Sequence, residues 1–158
     1  VVSVATFGLG KGGNLIVKAT DAVELIGTRA DGVVSSGLAA SVARGATGDG
    51  GNLTIETARL RVVDGAQVSV ATFGTGKGGN LTVKATDAVE LIGTSADGKI
   101  SSSLRALAPS GATGDGGNLT IETARLQVVN GATVSVRNRG EGKAGNLIVD
   151  AGSILLDN

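Results

Sequence analysis

The sequence repeats itself with a period of 66 residues, and this repeat limits the possible folds more than any other feature. Residues 2–67 align with residues 68–133 without a gap, and 52 of the 66 aligned positions are identical. Residues 134–158 form a third, partial copy. Inside the period, Asn-Leu preceded by Gly-Gly or Ala-Gly recurs with separations of 38 and 28 residues in turn. Repeats of this length are typical of solenoids and other stacked architectures. The five motif asparagines are Asn14, Asn52, Asn80, Asn118 and Asn146.

Short stretches of alternating apolar and polar residues follow each motif. In the first unit, Leu15 and Val17 fall on one side and Lys18 on the other, which is typical of a half-buried β-strand. Two further alternating stretches complete each unit. Three strands in 28 residues predict one turn of a parallel β-helix, and five motifs predict about five rungs. We expect the longer unit to place its extra residues in a loop or corner around residues 37–47.

Charged residues at matching positions favour one unit per rung. Neighbouring strands lie about 4.8 Å apart, so like charges at equivalent positions would repel. We interpret two series as alternating in sign from rung to rung, whereas a single coil of 66 residues would stack equal charges. The first series is Lys11, Asp49, Lys77, Asp115 and Lys143; the second is Lys18, Glu56, Lys84, Glu122 and Asp150.

The composition restricts both fold and function. The chain has 27 Gly, two Phe and no Met, Trp, Tyr, His or Cys, so a core of many small stacked side chains is favoured over a globular one. Without His or Cys, the usual metal ligands, the thiol nucleophile and the commonest general base are missing. The 14 basic residues equal the 14 acidic ones, so no net field attracts nucleic acid. We therefore expect no metal, no cofactor and no nucleic-acid partner.

Glycine-rich segments resemble three kinds of binding motif, and in each case a turn is the better interpretation. Residues 8–13 and 74–79 match the spacing of dinucleotide-binding loops, but a strand rather than a helix follows them. Asp49 lies in a segment similar to calcium-binding nonapeptide repeats, yet the neighbouring rung has Lys at that place. Three of the asparagines fit the glycosylation pattern Asn-Leu-Thr. Because Asn opens every rung, we predict a ladder of side-chain amides, buried and specifying the register.

No catalytic pair stands out among the carboxylates. Asp21 with Glu24, or Asp31 beside Arg29, are the default candidates, and we interpret them as solvated charges because the second copy replaces Arg29 with Ser95. β-Helix enzymes that degrade polysaccharides gather their charged residues in one groove, whereas this chain distributes them evenly. We predict no catalytic residue, and such an enzyme remains an alternative.

Four residues are candidates for contact with another surface. Phe7 and Phe73 occupy the same place in successive copies, where the third copy has Arg139. Two rings at a glycine corner can cover an apolar edge or contact a ligand, and we favour packing. Arg105 and Arg139 complete the set of candidate contact residues.

The stretch from Gly50 to Gly74, which begins Gly-Gly-Asn-Leu-Thr-Ile-Glu-Thr, resembles the repeats of filamentous haemagglutinin-like proteins, especially large cyanobacterial ones. The resemblance extends over nearly the whole chain. It implies a right-handed parallel β-helix, exported from a Gram-negative bacterium by two-partner secretion through an outer-membrane transporter. It also implies a place on the cell surface or outside the cell. No catalytic residue can be carried over.

Together these observations predict a single all-β segment, residues 1–158, of a longer filamentous protein. Its expected role is structural or adhesive, without catalysis, and its expected partners are a host or neighbouring cell surface, a glycan or a matrix. A self-assembling fibre subunit that stacks end to end is the alternative.

Overall fold

A computed structural model describes residues 1–27 and 35–157, and in these residues regular structure is confined to β-strands. The strands form two parallel sheets, and successive turns of the chain pass from one sheet to the other. Sheet A contains β1 (Val2–Thr6), β4 (Gly37–Val42), β6 (Gln67–Thr72), β8 (Ser103–Ala108) and β10 (Thr133–Asn138). Sheet B contains β2 (Leu15–Lys18), β3 (Ala22–Ile26), β5 (Leu53–Val63), β7 (Leu81–Ile92), β9 (Leu119–Val129) and β11 (Leu147–Asp157).

The strand register confirms one unit per rung. Each motif leucine in sheet B pairs with the motif leucine of the next unit, which gives five levels in the order of the sequence. Sheet A has the same five levels, from β1 to β10. The predicted parallel β-helix is therefore the fold of the chain. The stacked leucines are Leu15, Leu53, Leu81, Leu119 and Leu147.

The core lies between the two sheets and consists of aliphatic ladders. In β5, the alternating residues Leu53 and Ile55 are completely buried, and Val68 and Val70 of β6 lie in the same hydrophobic cluster. Burying an aliphatic side chain of this size contributes about 1.5–3 kcal/mol. Each of these side chains contacts the side chains at equivalent positions in the neighbouring rungs. The core is therefore one continuous column along the axis of the solenoid.

Two of the three predicted strands in each unit belong to the same sheet. From the second rung onward they form one long strand, and only the first rung divides them into β2 and β3. The register shifts between Thr57 and Arg59, where the sheet is irregular. The Thr57 hydroxyl donates to the Arg59 carbonyl oxygen at 3.3 Å, and Thr123 does the same with Arg125. Each rung of the described solenoid therefore contributes to two sheets instead of forming three separate faces. The irregularity lies in the part that belongs to sheet B.

Most of the extra residues of the long units do not lie where we predicted them. The segment 37–47 contains β4, a regular inner strand of sheet A whose Leu38, Ala40 and Val42 alternate inward. Most of the additional length lies before this strand: β3 ends at Ile26 and β4 begins at Gly37, and residues 93–102 separate β7 from β8, where a short unit needs only residues 64–66. A smaller part lies in the turn after β4, within the predicted segment, where Ala43 is level with Phe73 and Ala46 with Gly74.

Stacked glycines form the corner that leads from sheet A to sheet B. A Cβ atom on Gly79 would lie 1.9 Å from the carbonyl oxygen of Gly51, and one on Gly117 would lie 1.8 Å from that of Gly79. The first glycine of the motif has more room in one rung only: a Cβ on Gly116 would meet nothing closer than 3.5 Å, whereas one on Gly12, Gly50 or Gly78 would lie 2.4, 3.0 or 2.9 Å from its nearest neighbour. The second glycine is present in all five units, and the last unit has Ala144 in the first place.

Candidate functional site

The five motif asparagines form a continuous ladder beside the glycine corner. The Asn52 Oδ1 atom accepts the backbone N–H of Asn80 at 2.9 Å, and the Asn80 Oδ1 atom accepts that of Asn118 at 3.0 Å. Equivalent bonds join the first and last pairs, at 2.9 and 2.7 Å. The first four carboxamides therefore each satisfy a backbone donor that the turn leaves without a strand partner.

The asparagine ladder lies at the surface, not in the core. Four of its members are exposed and Asn118 is half-buried, so our expectation of buried amides was wrong. The side-chain nitrogens of Asn80 and Asn118 donate to the carboxamide oxygen of the preceding asparagine, at 3.3 and 3.0 Å. The amide groups of two Asn-Leu-Thr sequences are thus engaged within the ladder.

The first charge series stabilises the backbone of the corner. The Asp49 Oδ1 atom accepts the backbone N–H of Lys77 at 2.9 Å, and Asp115 accepts that of Lys143 at 2.9 Å. In each case a carboxylate of a short unit reaches the rung that follows. Hydrogen bonds to an ionised acceptor are stronger than neutral ones. Asp at these positions therefore has a structural role that charge alternation alone did not predict.

The second charge series forms ion pairs on the outer face of sheet B. The Lys18 ammonium lies 2.7 Å from Glu56, and the Lys84 ammonium lies 3.2 Å from Glu122. The strand register also places Glu122 directly beside Asp150. Our interpretation of strict alternation is therefore wrong for the last rung, where two carboxylates are adjacent.

A shallow groove follows the irregularity in sheet B. It has a volume of about 490 Å³ and is lined by small side chains beside one row of charged ones. Its carboxylates, Glu56 and Glu122, are the partners of the two ion-paired lysines. The lining residues are Glu56, Thr57, Lys84, Ala85, Thr86, Glu122, Thr123 and Ala124.

The acidic candidates named from the sequence do not form a described cluster. Asp21 and Glu24 are exposed in the first rung, and Glu24 lies beside Arg61 of the next strand. Asp31 and Arg29 lie outside the described residues. Within residues 1–27 and 35–157, no group of three or more His, Cys, Asp or Glu residues is arranged to hold a metal ion.

Phe7 and Phe73 lie two rungs apart at the end of sheet A, with Ala43 between them. Each follows its strand directly, and the backbone N–H groups of Ala43 and Phe73 bond to Thr6 and Val42 of the preceding rungs. Phe7 is 81% exposed and Phe73 is 39% exposed. The packing that we favoured from the sequence is therefore wrong for Phe7, and both rings remain accessible.

The two candidate arginines lie at different positions of sheet A. Arg105 is half-buried within β8, where its guanidinium donates to the Gln67 side-chain oxygen. Arg139 is exposed and follows β10, and its backbone N–H bonds to Ala108 at 2.7 Å. Arg139 therefore lies at the same strand end as the two phenylalanines, whereas Arg105 does not.

Two polar features were not predicted from the sequence. Arg125 approaches Glu90 at 3.6 Å, while Arg61 approaches the same carboxylate at 3.8 Å. In the 93–102 connection, the Ser95 hydroxyl donates to Asp97 and accepts the Ile100 N–H at 3.0 Å. The Ser-Ala-Asp-Gly sequence is typical of a side-chain-stabilised turn and was a usable signal.

The sequence matches no protein-family profile, and no curated protein or solved structure is significantly similar to it. The described residues contain no helix long and apolar enough to cross a membrane.

Proposed function

We propose that this chain is a structural and adhesive segment of a filamentous protein that is presented outside the cell and has no catalytic role. The observation that carries the proposal is the continuous parallel pairing of strands in both sheets over five rungs. Ladders of core side chains, asparagines and corner glycines join every rung to its neighbours, so the solenoid is stiff along its axis. Such a rod suits a protein that holds a binding surface away from a membrane.

The distribution of polar groups supports a surface that contacts other molecules without transforming them. The outer carboxylates of the groove are paired with lysines, and the two phenylalanines at the end of sheet A are exposed. Exposed aromatic side chains are frequent in contact surfaces because they supply apolar area at low entropic cost.

Export through an outer-membrane transporter is part of the proposal and rests on the resemblance described above. The repeat architecture is compatible with it, because a solenoid can nucleate in one rung and propagate to the next as the chain emerges. A chain without cysteine also needs no disulfide formation during export.

Adhesion is tested by binding of the intact protein to an array of surface glycans and matrix proteins. A scrambled chain of the same composition is the matched control for nonspecific attachment. We expect saturable binding of the folded protein alone. Binding equal to that of the scrambled chain would contradict the proposal, and release of sugar from the array would support the alternative enzyme.

End-to-end assembly is a second candidate, favoured by the way successive rungs pair through the same parallel register in both sheets. Ile154 and Leu156 of β11, for example, pair with the core positions Leu126 and Val128 of β9. Two copies could pair in the same way and extend both sheets.

Fibre formation is tested by light scattering and electron microscopy over a range of concentrations. We expect particle length to increase with concentration and Leu156→Lys to prevent the increase. A particle size independent of concentration would refute assembly and leave the adhesive role intact.

A further inference from the structure

Three arginines meet at the outer face of sheet A near its last two strands. The register pairs Arg105 of β8 with Ser135 of β10, and Arg137 of β10 with Leu107 of β8. Arg105 and Arg137 are therefore diagonal neighbours on one face, a relation in which long side chains can meet. Arg139 follows β10 directly.

These arginines enclose a small cavity. Its volume is about 190 Å³, which is below the usual range of about 300–1,000 Å³ for pockets that hold drug-sized ligands. The cavity fits one small chemical group or the end of a larger molecule. Its lining residues are Arg105, Leu107, Ala108, Pro109, Arg137 and Arg139.

The positive charge of this cavity has no counterpart in the described chain. None of the five strands of sheet A contains Asp or Glu, whereas sheet B carries paired charges of both signs. None of the three arginines forms an ion pair with a residue in 1–27 or 35–157. Glu141, two residues beyond Arg139, is exposed and is not paired with it.

Arg105 is also incompletely satisfied. Its guanidinium donates to Gln67, but its buried Nε atom has no hydrogen-bond partner among the described residues. Burial, followed by repulsion from the Arg137 guanidinium, lowers the pKa of Arg105. Buried polar atoms without a partner are rare in native proteins and often mark a place for a water or an ion.

We propose that this cavity is a binding site for an oxyanion group, namely a carboxylate, sulfate or phosphate presented by a small acid or by an acidic polysaccharide. Guanidinium groups bind such anions through paired, planar hydrogen bonds. Leu107 and Pro109 provide an apolar wall for the carbon skeleton that carries the anion. The inference deepens the adhesive role proposed above and rests on it for its biological meaning.

The internal repeat supplies substitutions that the fold already accepts. At the positions of Arg105, Arg137 and Arg139, the copy 66 residues earlier has Ala39, Ala71 and Phe73. Arg105→Ala, Arg137→Ala and Arg139→Phe therefore replace the three arginines with residues that the repeat carries at the same positions. Arg44→Ser is the matched control, since it removes one exposed arginine outside the cavity and reproduces Ser110 of the second copy.

The test is an NMR titration of arginine side-chain N–H signals with sulfate, inorganic phosphate and glucuronate at constant ionic strength. We expect saturable shifts of the Arg105 signal with these anions and none with neutral glucose. The triple variant should bind at least about tenfold more weakly, which corresponds to about 1.4 kcal/mol, and Arg44→Ser should bind normally. Absence of saturation with all three anions, or equal weakening in Arg44→Ser, would overturn the proposal.

A second titration separates the two sources of the anion. Stronger binding of an oligosaccharide of uronic acids than of glucuronate would assign the site to an acidic polysaccharide, and equal binding would assign it to a free acid. The adhesion array is repeated with the triple variant. If the unaltered protein adheres but fails the titration, the oxyanion site is refuted alone; if it binds anions but does not adhere, the adhesive function is refuted alone.

Discussion

At the corner between the two sheets, the space available for a single Cβ atom determines whether glycine can be replaced. From the second motif onward, the second glycine of each motif stacks against the carbonyl of the rung before it. The first glycine lies close to the backbone of the following rung in some units but not at Gly116, so the close approach of two backbones requires the second glycine more strictly.

Gly79→Ala is expected to destabilise the protein by about 3 kcal/mol or more, because the new Cβ would lie 1.9 Å from the Gly51 carbonyl oxygen and the rungs would have to separate. Urea unfolding measures the change. Gly116→Ala is the control from the same motif, since its Cβ has 3.5 Å of space, and its loss should be below about 1 kcal/mol. Equal losses would mean that the corner does not stack this closely.

Asp97 makes the 93–102 connection sensitive to acid. The hydrogen bond from Ser95, and next that from the Lys99 backbone, lower the pKa of Asp97 to about 2, below the unfolded value of about 3.9. The ionised form therefore stabilises the turn above about pH 4, and this contribution is lost as the pH falls toward 2. We expect the amide signals of Lys99 and Ile100 to shift in that range. Asp97→Asn should abolish the shift, and a shift that persists would refute the assignment.

At the scale of strands, charge and hydrogen bonding act together across neighbouring rungs. The ion pairs on sheet B are largely exposed, so each contributes about 0.2–1 kcal/mol at most. The aspartates at the corner also bond to backbone, and their contribution persists when salt screens the charges. Raising the ionic strength weakens the ion pairs but not these hydrogen bonds, so the two contributions to stability can be measured separately.

Asp49→Lys should reduce thermal stability by the equivalent of about 1–2 kcal/mol at low ionic strength. The substitution removes the hydrogen bond to the Lys77 backbone N–H and places a lysine between Lys11 and Lys77 in the neighbouring rungs. Added salt should restore only part of the loss. Asp49→Asn keeps an acceptor and removes the charge, so its loss should be smaller and nearly independent of salt. If salt restores the Lys variant completely, the hydrogen bond contributes nothing.

Asp150→Lys should stabilise the protein by about 0.5 kcal/mol, since it replaces a repulsive neighbour of Glu122 with an attractive one. Thermal unfolding at low ionic strength detects the gain, which high salt should remove. Asp150→Asn is expected to give about half of it. A destabilising effect would show that the last rung is not in register.

Local patterns in the sequence predicted the elements well where a strand has one buried face. Alternation identified Leu53 and Ile55 as inward positions, and repeat spacing gave the register. The joining of two predicted strands into β5 was missed, because a local irregularity at Thr57 interrupts the alternation without ending the strand. The cavity was also missed as a unit. Its arginines belong to different rungs, and Arg137 had no signal of its own except that the second copy has Ala71 there.

Over the whole molecule, stability should be approximately the sum of similar rungs. Removing residues 68–133 joins Gln67 to Val134 in the order that the repeat already contains, so three of five rungs should fold. The urea m-value should fall by about two fifths, in proportion to the surface exposed on unfolding. Removing residues 68–127 instead shifts the register by six residues and should prevent cooperative unfolding. An unfolded 68–133 deletion would contradict additivity.

The alternation of two kinds of rung also sets the unit in which such a protein can change length. A rung that begins with Lys11 is followed by one that begins with Asp49, and the aspartate bonds to the lysine-bearing rung beyond it. Loss or gain of one rung would place lysine on lysine, or aspartate on aspartate. Loss or gain of two leaves every neighbour as before. The solenoid can therefore become longer or shorter without destabilisation only by even numbers of rungs. We expect duplications and deletions in its gene to add or remove rungs in pairs.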